Sequence, residues 1–298
     1  MRLDEQILER YGVVVDGCEL IHHLVHDVMR VESGTQRFAL KLYRQGVRSV
    51  EDVQWELDLT RHLAALGAPV VHPSCPEPRR LTIDGVERLT ALTSWAPGIK
   101  PSPSVATYEL LGGAAAAIHA AADSFPQQPT PRQGHSAATL IDRPLALMRT
   151  ELSEIGRYDD VAALARQLGE HLRGGVLDRG ICHNDLTLDN VHVEENSMTV
   201  FDFDSARVSW RAAEPGGVFA WAQQSDPEYW RAWLTGYRAV RTFDASAEQA
   251  VAWFALIGEF DIVAWKLGLT PTAAGRRLSA GGLRDVVDRW LDSAARTT

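Results

Sequence analysis

Hydrophobic and polar positions alternate along much of the first 93 residues, and alternation between turn residues is typical of β-strands. Three such segments follow one another closely, over residues 18–25, 27–32 and 38–43. Two further strands are predicted near 80–83 and 88–93, separated by Asp84-Gly85, a dipeptide that favours a hairpin turn. These five segments predict a small antiparallel sheet.

The period of the apolar residues changes from two to about 3.6 between residues 49 and 66, which predicts a helix. Ser49 is suited to the N-cap, two acidic residues follow it, and Gly67 is suited to ending the helix. A short helix is also predicted over residues 3–11. We therefore expect an N-terminal lobe over residues 1–94, with one helix inserted into a five-stranded sheet.

A stretch rich in proline and glycine, residues 95–103, predicts a boundary, and the C-terminal lobe is expected over residues 95–298. Helical periodicity dominates this second part. Helices are predicted over about 104–122, 143–155, 159–173, 226–240, 247–267 and 280–294. A proline-containing loop is predicted over 126–136, and two short strands near 191–193 and 199–201. The expected fold class is α+β with two lobes.

Composition and charge exclude several classes of protein. Hydrophobic residues make up 45% and charged residues 23% of the 298, values ordinary for a globular protein. A net charge of −9 disfavours nucleic acid as a partner and is compatible with a cationic ligand. Three widely spaced cysteines predict neither a zinc site nor a disulfide framework, which favours a cytoplasmic protein. No signal peptide or membrane-spanning segment is expected, and the oligomeric state stays open.

Candidate chemistry is concentrated in residues 183–204. The order is His183, Asn184 and Asp185, then Asn190, then a predicted hairpin, then Asp202-Phe203-Asp204. Phosphoryl transfer needs a group that receives or orients a hydroxyl proton, together with oxygen ligands for magnesium. Asp185 is suited to the first role, and Asn190 and Asp202 to the second. We expect His183 to brace the loop; for Asp204 a metal role and a structural role both stay open.

These motifs resemble the aminoglycoside phosphotransferase family, with its choline-kinase-like and homoserine-kinase-like relatives, within the protein-kinase-like fold. In this family the catalytic loop usually has the sequence His-Gly-Asp-x-x-x-x-Asn, and the metal-binding motif is an Ile/Phe-Asp pair after a hairpin. The resemblance implies that Asp185 is the catalytic base and that Asn190 and Asp202 hold the metal. It also implies that Lys41, on a strand, binds phosphates and that Glu56, on the next helix, is its ion-pair partner. The match runs in order from about residue 12 to 268.

The same resemblance implies ATP and Mg²⁺ as cofactors, with adenine bound by backbone groups near Ser94, Trp95 and Ala96. Position 184 holds Asn where the family has Gly, and Asn adopts left-handed backbone conformations readily. The turn over residues 22–27, expected to cover the phosphates, contains no glycine. Its three histidines, His22, His23 and His26, could form a metal cluster, but no fourth ligand has suitable spacing, which favours a nucleotide-covering turn.

Several other residues leave alternatives open. Glu51 and Asp58 are alternative partners for Lys41. On the apolar helix predicted over 247–267, Glu259 and Asp261 are candidates either for binding a substrate amine or for structural salt bridges. The aromatic residues between 221 and 237 fit core packing or a substrate pocket.

The expected activity is transfer of the γ-phosphate of ATP to a hydroxyl of a small molecule, such as an aminoglycoside-like antibiotic, an amino alcohol, a sugar or a related metabolite. One alternative is a bacterial Ser/Thr protein kinase of the stress-response type, since residues 230–241 resemble that branch. Another is a nucleotide-binding pseudokinase regulator. A long activation segment ending in Ala-Pro-Glu is missing, which favours a small acceptor, and Lys41, Asp185 and Asp202 are all present, which disfavours a pseudokinase.

Overall fold

A five-stranded antiparallel sheet forms the small lobe of the computed structural model, which describes residues 2–126, 130–174, 177–270, 273 and 275–297. The strands are β1 (Gly17–His23), β2 (Asp27–Ser33), β3 (Gln36–Leu42), β4 (Arg79–Ile83) and β5 (Val86–Ser94). Their spatial order is β1-β2-β3-β5-β4. All five predicted strands are confirmed, and the β4–β5 turn has positive φ at both Asp84 and Gly85.

Two helices accompany this sheet, α1 (Leu3–Tyr11) and α2 (Val50–Ala65). The Ser49 hydroxyl caps α2 by accepting from the Asp52 N–H, and the Asp52 carboxylate accepts from the Ser49 N–H. Helix α2 has two buried faces. Val53 and Leu57 pack in the core of the small lobe, whereas residues such as Trp55 pack with the larger lobe. A helix buried on both sides holds its polar residue Glu56 between the lobes.

The larger lobe is mostly helical, as predicted. Its helices are α3 (Val105–Ala122), α4 (Arg143–Leu147), α5 (Arg149–Glu154), α6 (Tyr158–Gly174), α7 (Gly216–Gln224), α8 (Glu228–Arg238), α9 (Ala245–Lys266) and α10 (Ala280–Thr297). The helix predicted over 143–155 is divided at Met148 and follows a π-helical turn, Ala138–Asp142. Helix α7 was not predicted, because two glycines at its start weaken the helical signal.

Helices α3 and α8 pack with their backbones in direct contact. A Cβ atom on Gly112 of α3 would lie 2.0 Å from the Trp233 carbonyl oxygen, and one on Gly236 of α8 would lie 1.9 Å from that of Glu109. Only glycine permits this separation. None of the helices in the described ranges combines the length and apolarity that a bilayer crossing requires.

Two short two-stranded antiparallel sheets carry the segments that contain the candidate chemistry. Strands β7 (Val191–Glu194) and β8 (Ser197–Val200) are confirmed, while the pair β6 (Arg179–Cys182) and β9 (Arg207–Trp210) was not predicted. Strand β6 ends immediately before His183, and β8 ends just before Asp202. The predicted loop over 126–136 has no helix or strand at its described residues up to 136; residues 127–129 lie outside the described ranges. The boundary after residue 94 stays a prediction.

Candidate active site

Lys41 lies at the centre of an ionic cluster between the two lobes. Its Nζ lies 3.3 Å from Oε1 of Glu56, 2.7 Å from Oδ1 of Asp202 and 3.7 Å from Oδ1 of Asp204. Burial lowers the pKa of the Lys41 ammonium, but these carboxylates outweigh it and hold the pKa well above its ordinary value. The lysine therefore keeps its positive charge. Asp58, an alternative partner from the sequence, pairs instead with Arg61.

The loop after β6 places Asp185 and Asn190 against each other. Asn190 Nδ2 donates to the Asp185 carboxylate at 2.9 Å and to the Asp185 carbonyl oxygen at 2.7 Å. Partial desolvation raises the pKa of the Asp185 carboxyl above its ordinary value, against the opposing influence of His183 and Asn190. A carboxylate with a raised pKa is a better proton acceptor than an ordinary one.

His183 has the geometry of a brace. It is fully buried, and its Nε2 lies 3.0 Å from the Phe201 carbonyl oxygen, while its Nδ1 lies 3.3 Å from the Asp185 backbone nitrogen. An imidazole that donates through Nε2 and accepts at Nδ1 satisfies both contacts. The ring thus links the loop after β6 to the segment after β8.

A buried carboxylate, Glu214, holds the same loop from behind. It accepts from the backbone N–H groups of His183 at 2.7 Å and Asn184 at 2.8 Å, and it contacts His119 at 3.3 Å. Burial acts to raise the pKa of Glu214, but these hydrogen bonds and charges hold it below the ordinary value. His119 is itself fully buried, and its Nδ1 lies 2.8 Å from the Tyr237 hydroxyl of α8.

Two non-glycine residues, one in the loop after β6 and one just after β8, have left-handed backbone conformations. Asn184 has a φ of 62° and Asp202 a φ of 64°. The Asn184 amide donates to the carbonyl oxygens of Cys182 and Arg207, which stabilises the turn. Asparagine at this family glycine position therefore adopts the conformation that the sequence predicted. Strained backbone of this kind is concentrated at functional sites.

Asp204 is engaged by protein side chains. Arg48 donates to both of its carboxylate oxygens, at 2.9 and 2.8 Å, and His26 Nε2 lies 3.2 Å from Oδ1. Burial opposes ionisation, but Lys41, His26 and Arg48 hold the pKa of Asp204 far below its ordinary value. A carboxylate with this many partners fits the structural alternative, in which Asp204 joins the turn over residues 22–27 to the segment after β8.

Arg132 was not among the predicted site residues. Its guanidinium is buried, donates to Oε2 of Glu56 at 2.8 Å, and lies over the Trp55 ring at 5.0 Å. It also donates to four backbone carbonyl oxygens, those of Asp52, Phe203, Asp204 and Ala206. The residue lies in a loop between α3 and the π-helical turn, where no periodic pattern marks it. It ties α2 to the segment that carries Asp202.

Two oxygens in the cleft are available to a metal ion. Asp202 Oδ1 pairs with Lys41, but within the described residues Oδ2 accepts no hydrogen bond, and the same holds for Asn190 Oδ1. Burial acts to raise the pKa of Asp202, but Lys41 holds it below its ordinary value, so the carboxylate is ionised. One carboxylate and one amide oxygen suit Mg²⁺, which binds few protein ligands.

The residues expected to read adenine lie between β5 and α3. The Trp95 N–H donates to the Arg37 carbonyl, and the Ala96 carbonyl oxygen lies 2.9 Å from His192 Nδ1. The Ser94 hydroxyl accepts from the His72 N–H at 2.9 Å. The Ala96 N–H has no acceptor among the described residues and can donate to a ligand.

The two acids on α9 have different surroundings. Glu259 accepts from Trp290 Nε1 at 2.7 Å, which fits its structural alternative, whereas Asp261 is exposed. Among the aromatic residues, Trp230, Trp233 and Tyr237 are buried in the core, and Trp221 is 49% exposed. The turn 22–27 does not gather its histidines: His23 pairs with Asp27 on the surface, while His26 is buried.

The sequence and the fold are similar to those of known kinases. A protein of Deinococcus radiodurans without an assigned function is 32% identical over 256 residues, covering 79% of this chain and 72% of the relative. Homoserine kinase of Acidiphilium cryptum is 30% identical over 229 residues, covering 72% and 68%. The amicoumacin kinase solved with AMP-PNP, Ca²⁺ and Ami superposes with a TM-score of 0.73 over 99% of this chain and 94% of that chain, at 16% identity.

The first two similarities are at the level of sequence, and the third shows the protein-kinase-like fold. The model of the phosphotransferase enzyme family matches residues 18–251, which is most of the chain. Lys41, Glu56, Asp185, Asn190 and Asp202 all lie within this match. The chain therefore belongs to the phosphotransferase enzyme family and is a phosphotransferase with a two-lobed, protein-kinase-like fold.

Proposed function

We propose that this protein transfers the γ-phosphate of ATP to a hydroxyl of a small molecule, with Mg²⁺ as cofactor. The proposal is supported by two groups of contacts. Lys41 lies within ion-pair distance of Glu56 and Asp202. On the loop after β6, Asn190 donates to the Asp185 carboxylate. A charged lysine held by a glutamate is suited to binding phosphate oxygens, and an aspartate with a raised pKa is suited to receiving a hydroxyl proton.

In this proposal residues 1–94 bind the nucleotide and residues 95–298 supply the catalytic loop and the acceptor site. Adenine lies against residues 94–96, where the Ala96 N–H donates to it. Lys41 contacts the α- and β-phosphates, and Glu56 fixes the lysine in place. Arg132 in turn fixes Glu56, so one buried network orients the cation that meets the nucleotide.

Asp202 Oδ2 and Asn190 Oδ1 would hold the magnesium ion, which when bound neutralises charge on the phosphates. Asp185 orients the acceptor hydroxyl and takes its proton. Asn190 holds the Asp185 carboxylate in position, and His183 and Glu214 hold the loop backbone. Most of the rate gain then comes from positioning and charge complementarity, because phosphoryl transfer demands little covalent chemistry from the protein.

A small acceptor is supported by the relatives, among which are homoserine kinases and an amicoumacin kinase. Asp261 is an exposed carboxylate on α9 and is suited to contacting an acceptor amine. We also propose a cytoplasmic location, since Cys18, Cys75 and Cys182 are free thiols in the structure.

The experiment is a phosphotransfer screen with γ-labelled ATP and Mg²⁺ against antibiotics, amino alcohols, hydroxy amino acids, sugars and protein acceptors. We expect label on one class of small hydroxyl compound and none with Asp202→Asn. Asp226→Asn, at a partly exposed position before α8, is the matched control and should keep the activity. Label on protein alone, or equal activity of Asp202→Asn and the wild type, would overturn the proposal.

A further inference from the structure

Arg207, the first residue of β9, has a half-buried side chain for which the structure supplies no carboxylate. In the described ranges no acidic side chain lies at salt-bridge distance from its guanidinium, and its one hydrogen bond runs from Nε to the Ser205 carbonyl oxygen at 3.0 Å. Both Nη atoms of Arg207 remain accessible to solvent. Two adjacent donors of a fixed guanidinium are therefore free to bind a ligand.

The neighbouring cations differ from Arg207 because each has a counter-charge. Arg48 forms a two-point pair with Asp204, and Arg132 pairs with Glu56. Burial, followed by the charges of Arg48 and Arg132, lowers the pKa of Arg207. An arginine nevertheless stays protonated at neutral pH. A partly desolvated charge without a partner is costly, and an anionic ligand would offset that cost.

Arg207 is also adjacent to the catalytic loop. It pairs across the sheet with Cys182, the last residue of β6. Its carbonyl oxygen accepts from the Asn184 amide at 3.3 Å, and Asn184 is bonded to Asp185. Asp261 of α9 is close enough for its charge to act on Arg207, although it forms no ion pair with it. Arg207 therefore lies beside the loop that carries the proposed base, and Asp261 is within electrostatic range of its guanidinium.

We propose that Arg207 binds a carboxylate of the acceptor, so that the acceptor is a small hydroxy acid, and that Asp261 binds an ammonium group on the same molecule. The inference rests on the proposed function, because it specifies the acceptor of that site. Arginine pairs with a carboxylate through two parallel hydrogen bonds, which orients the ligand as well as holding it. The acceptor class that offers a hydroxyl, a carboxylate and an ammonium group is a hydroxy amino acid.

Three acceptors that differ by one group test this assignment. L-homoserine has all three groups, 3-amino-1-propanol lacks the carboxylate, and 4-hydroxybutyrate lacks the amine. We expect wild-type kcat/KM to be highest for homoserine. Loss of a charge-assisted pair corresponds to about 10–100-fold in binding, so Arg207→Gln should raise the KM of both carboxylate-bearing acceptors by about that factor. The KM for 3-amino-1-propanol should change less than about threefold in Arg207→Gln.

Arg166→Gln is the matched control, because it removes an exposed arginine from α6, a helix that carries none of the proposed site residues. It should leave all three KM values unchanged. The inference is overturned if Arg207→Gln weakens all three acceptors equally, if the wild type prefers 3-amino-1-propanol, or if glycerol 3-phosphate is preferred to every carboxylate. Asp261→Asn should raise the KM of the two amines and leave that of 4-hydroxybutyrate unchanged.

A binding measurement separates this inference from the proposed activity. Calorimetric titration of homoserine into the Mg·ADP-loaded protein needs no turnover. Binding by the wild type that weakens at least tenfold in Arg207→Gln supports the carboxylate site even if no acceptor is phosphorylated. Equal binding by both proteins, or none by the wild type, overturns it even if phosphate transfer to another alcohol is found.

Discussion

Replacing Arg132 by methionine should destabilise the protein more than any exposed arginine replacement. The side chain of Arg132 is 4% exposed, and its guanidinium pairs with Glu56, whose side chain is 10% exposed. Methionine keeps most of the buried volume but leaves Oε2 of Glu56 and several backbone carbonyls without their donor. Removal of one partner from a buried ion pair costs about 3–5 kcal/mol.

The assay is equilibrium urea unfolding followed by tryptophan fluorescence, to which Trp55 beside Arg132 contributes. With a slope of about 3 kcal/mol/M, a loss of 3–5 kcal/mol lowers the unfolding midpoint by about 1–1.7 M. Arg231→Met is the control, because Arg231 pairs with Glu228 on the surface and such pairs contribute about 1 kcal/mol or less. An equal, small loss in both variants would refute the role assigned to Arg132.

Three further predictions concern backbone fit and pH. Gly98→Ala should lower the melting temperature more than Gly12→Ala, because both glycines have positive φ but only at Gly98 would the new Cβ lie 2.1 Å from a backbone oxygen; thermal unfolding of the two variants tests this. Burial, then nearby arginines, lowers the pKa of His135 from 6.5 to about 4, so stability should fall as pH drops from 6.5 towards 4; His135→Gln should flatten that slope in urea titrations. The lowered pKa of Asp204 means that its stabilisation is complete above about pH 4 and is lost at lower pH, so Asp204→Asn should show a shallower acid loss than the wild type.

Local patterns predicted most of the fold. The five strands of the small lobe and the long helices depend on hydrophobic period and turn residues, which neighbouring positions determine. The family resemblance implied the pairing of Lys41 with Glu56, and their side chains lie 3.3 Å apart. Asparagine adopts left-handed backbone conformations more readily than most residues, and Asn184 has a φ of 62°.

The rest depends on contacts between distant residues. Arg132 and Glu56 are 76 positions apart, and Glu214 binds a backbone N–H 31 positions away. Neither Arg132 nor Glu214 lies in a segment with a readable period, so one sequence offers no signal for them. The sequence around Asp204 fits a metal role and a structural role equally well. The hydrogen bond from Arg48, 156 positions away, favours the structural role.

The role of Asp185 as the base that takes the acceptor hydroxyl proton is tested most directly by Asp185→Asn, measured for both nucleotide binding and phosphate transfer. We propose that Asp185 contacts the acceptor hydroxyl and that Lys41 contacts the nucleotide. The affinity of Asp185→Asn for Mg·ATP should therefore stay within about threefold of that of the wild type. Transfer of labelled phosphate to the acceptor should fall by about 10²–10⁴-fold, the usual contribution of a general base. Unchanged transfer by Asp185→Asn would contradict the account.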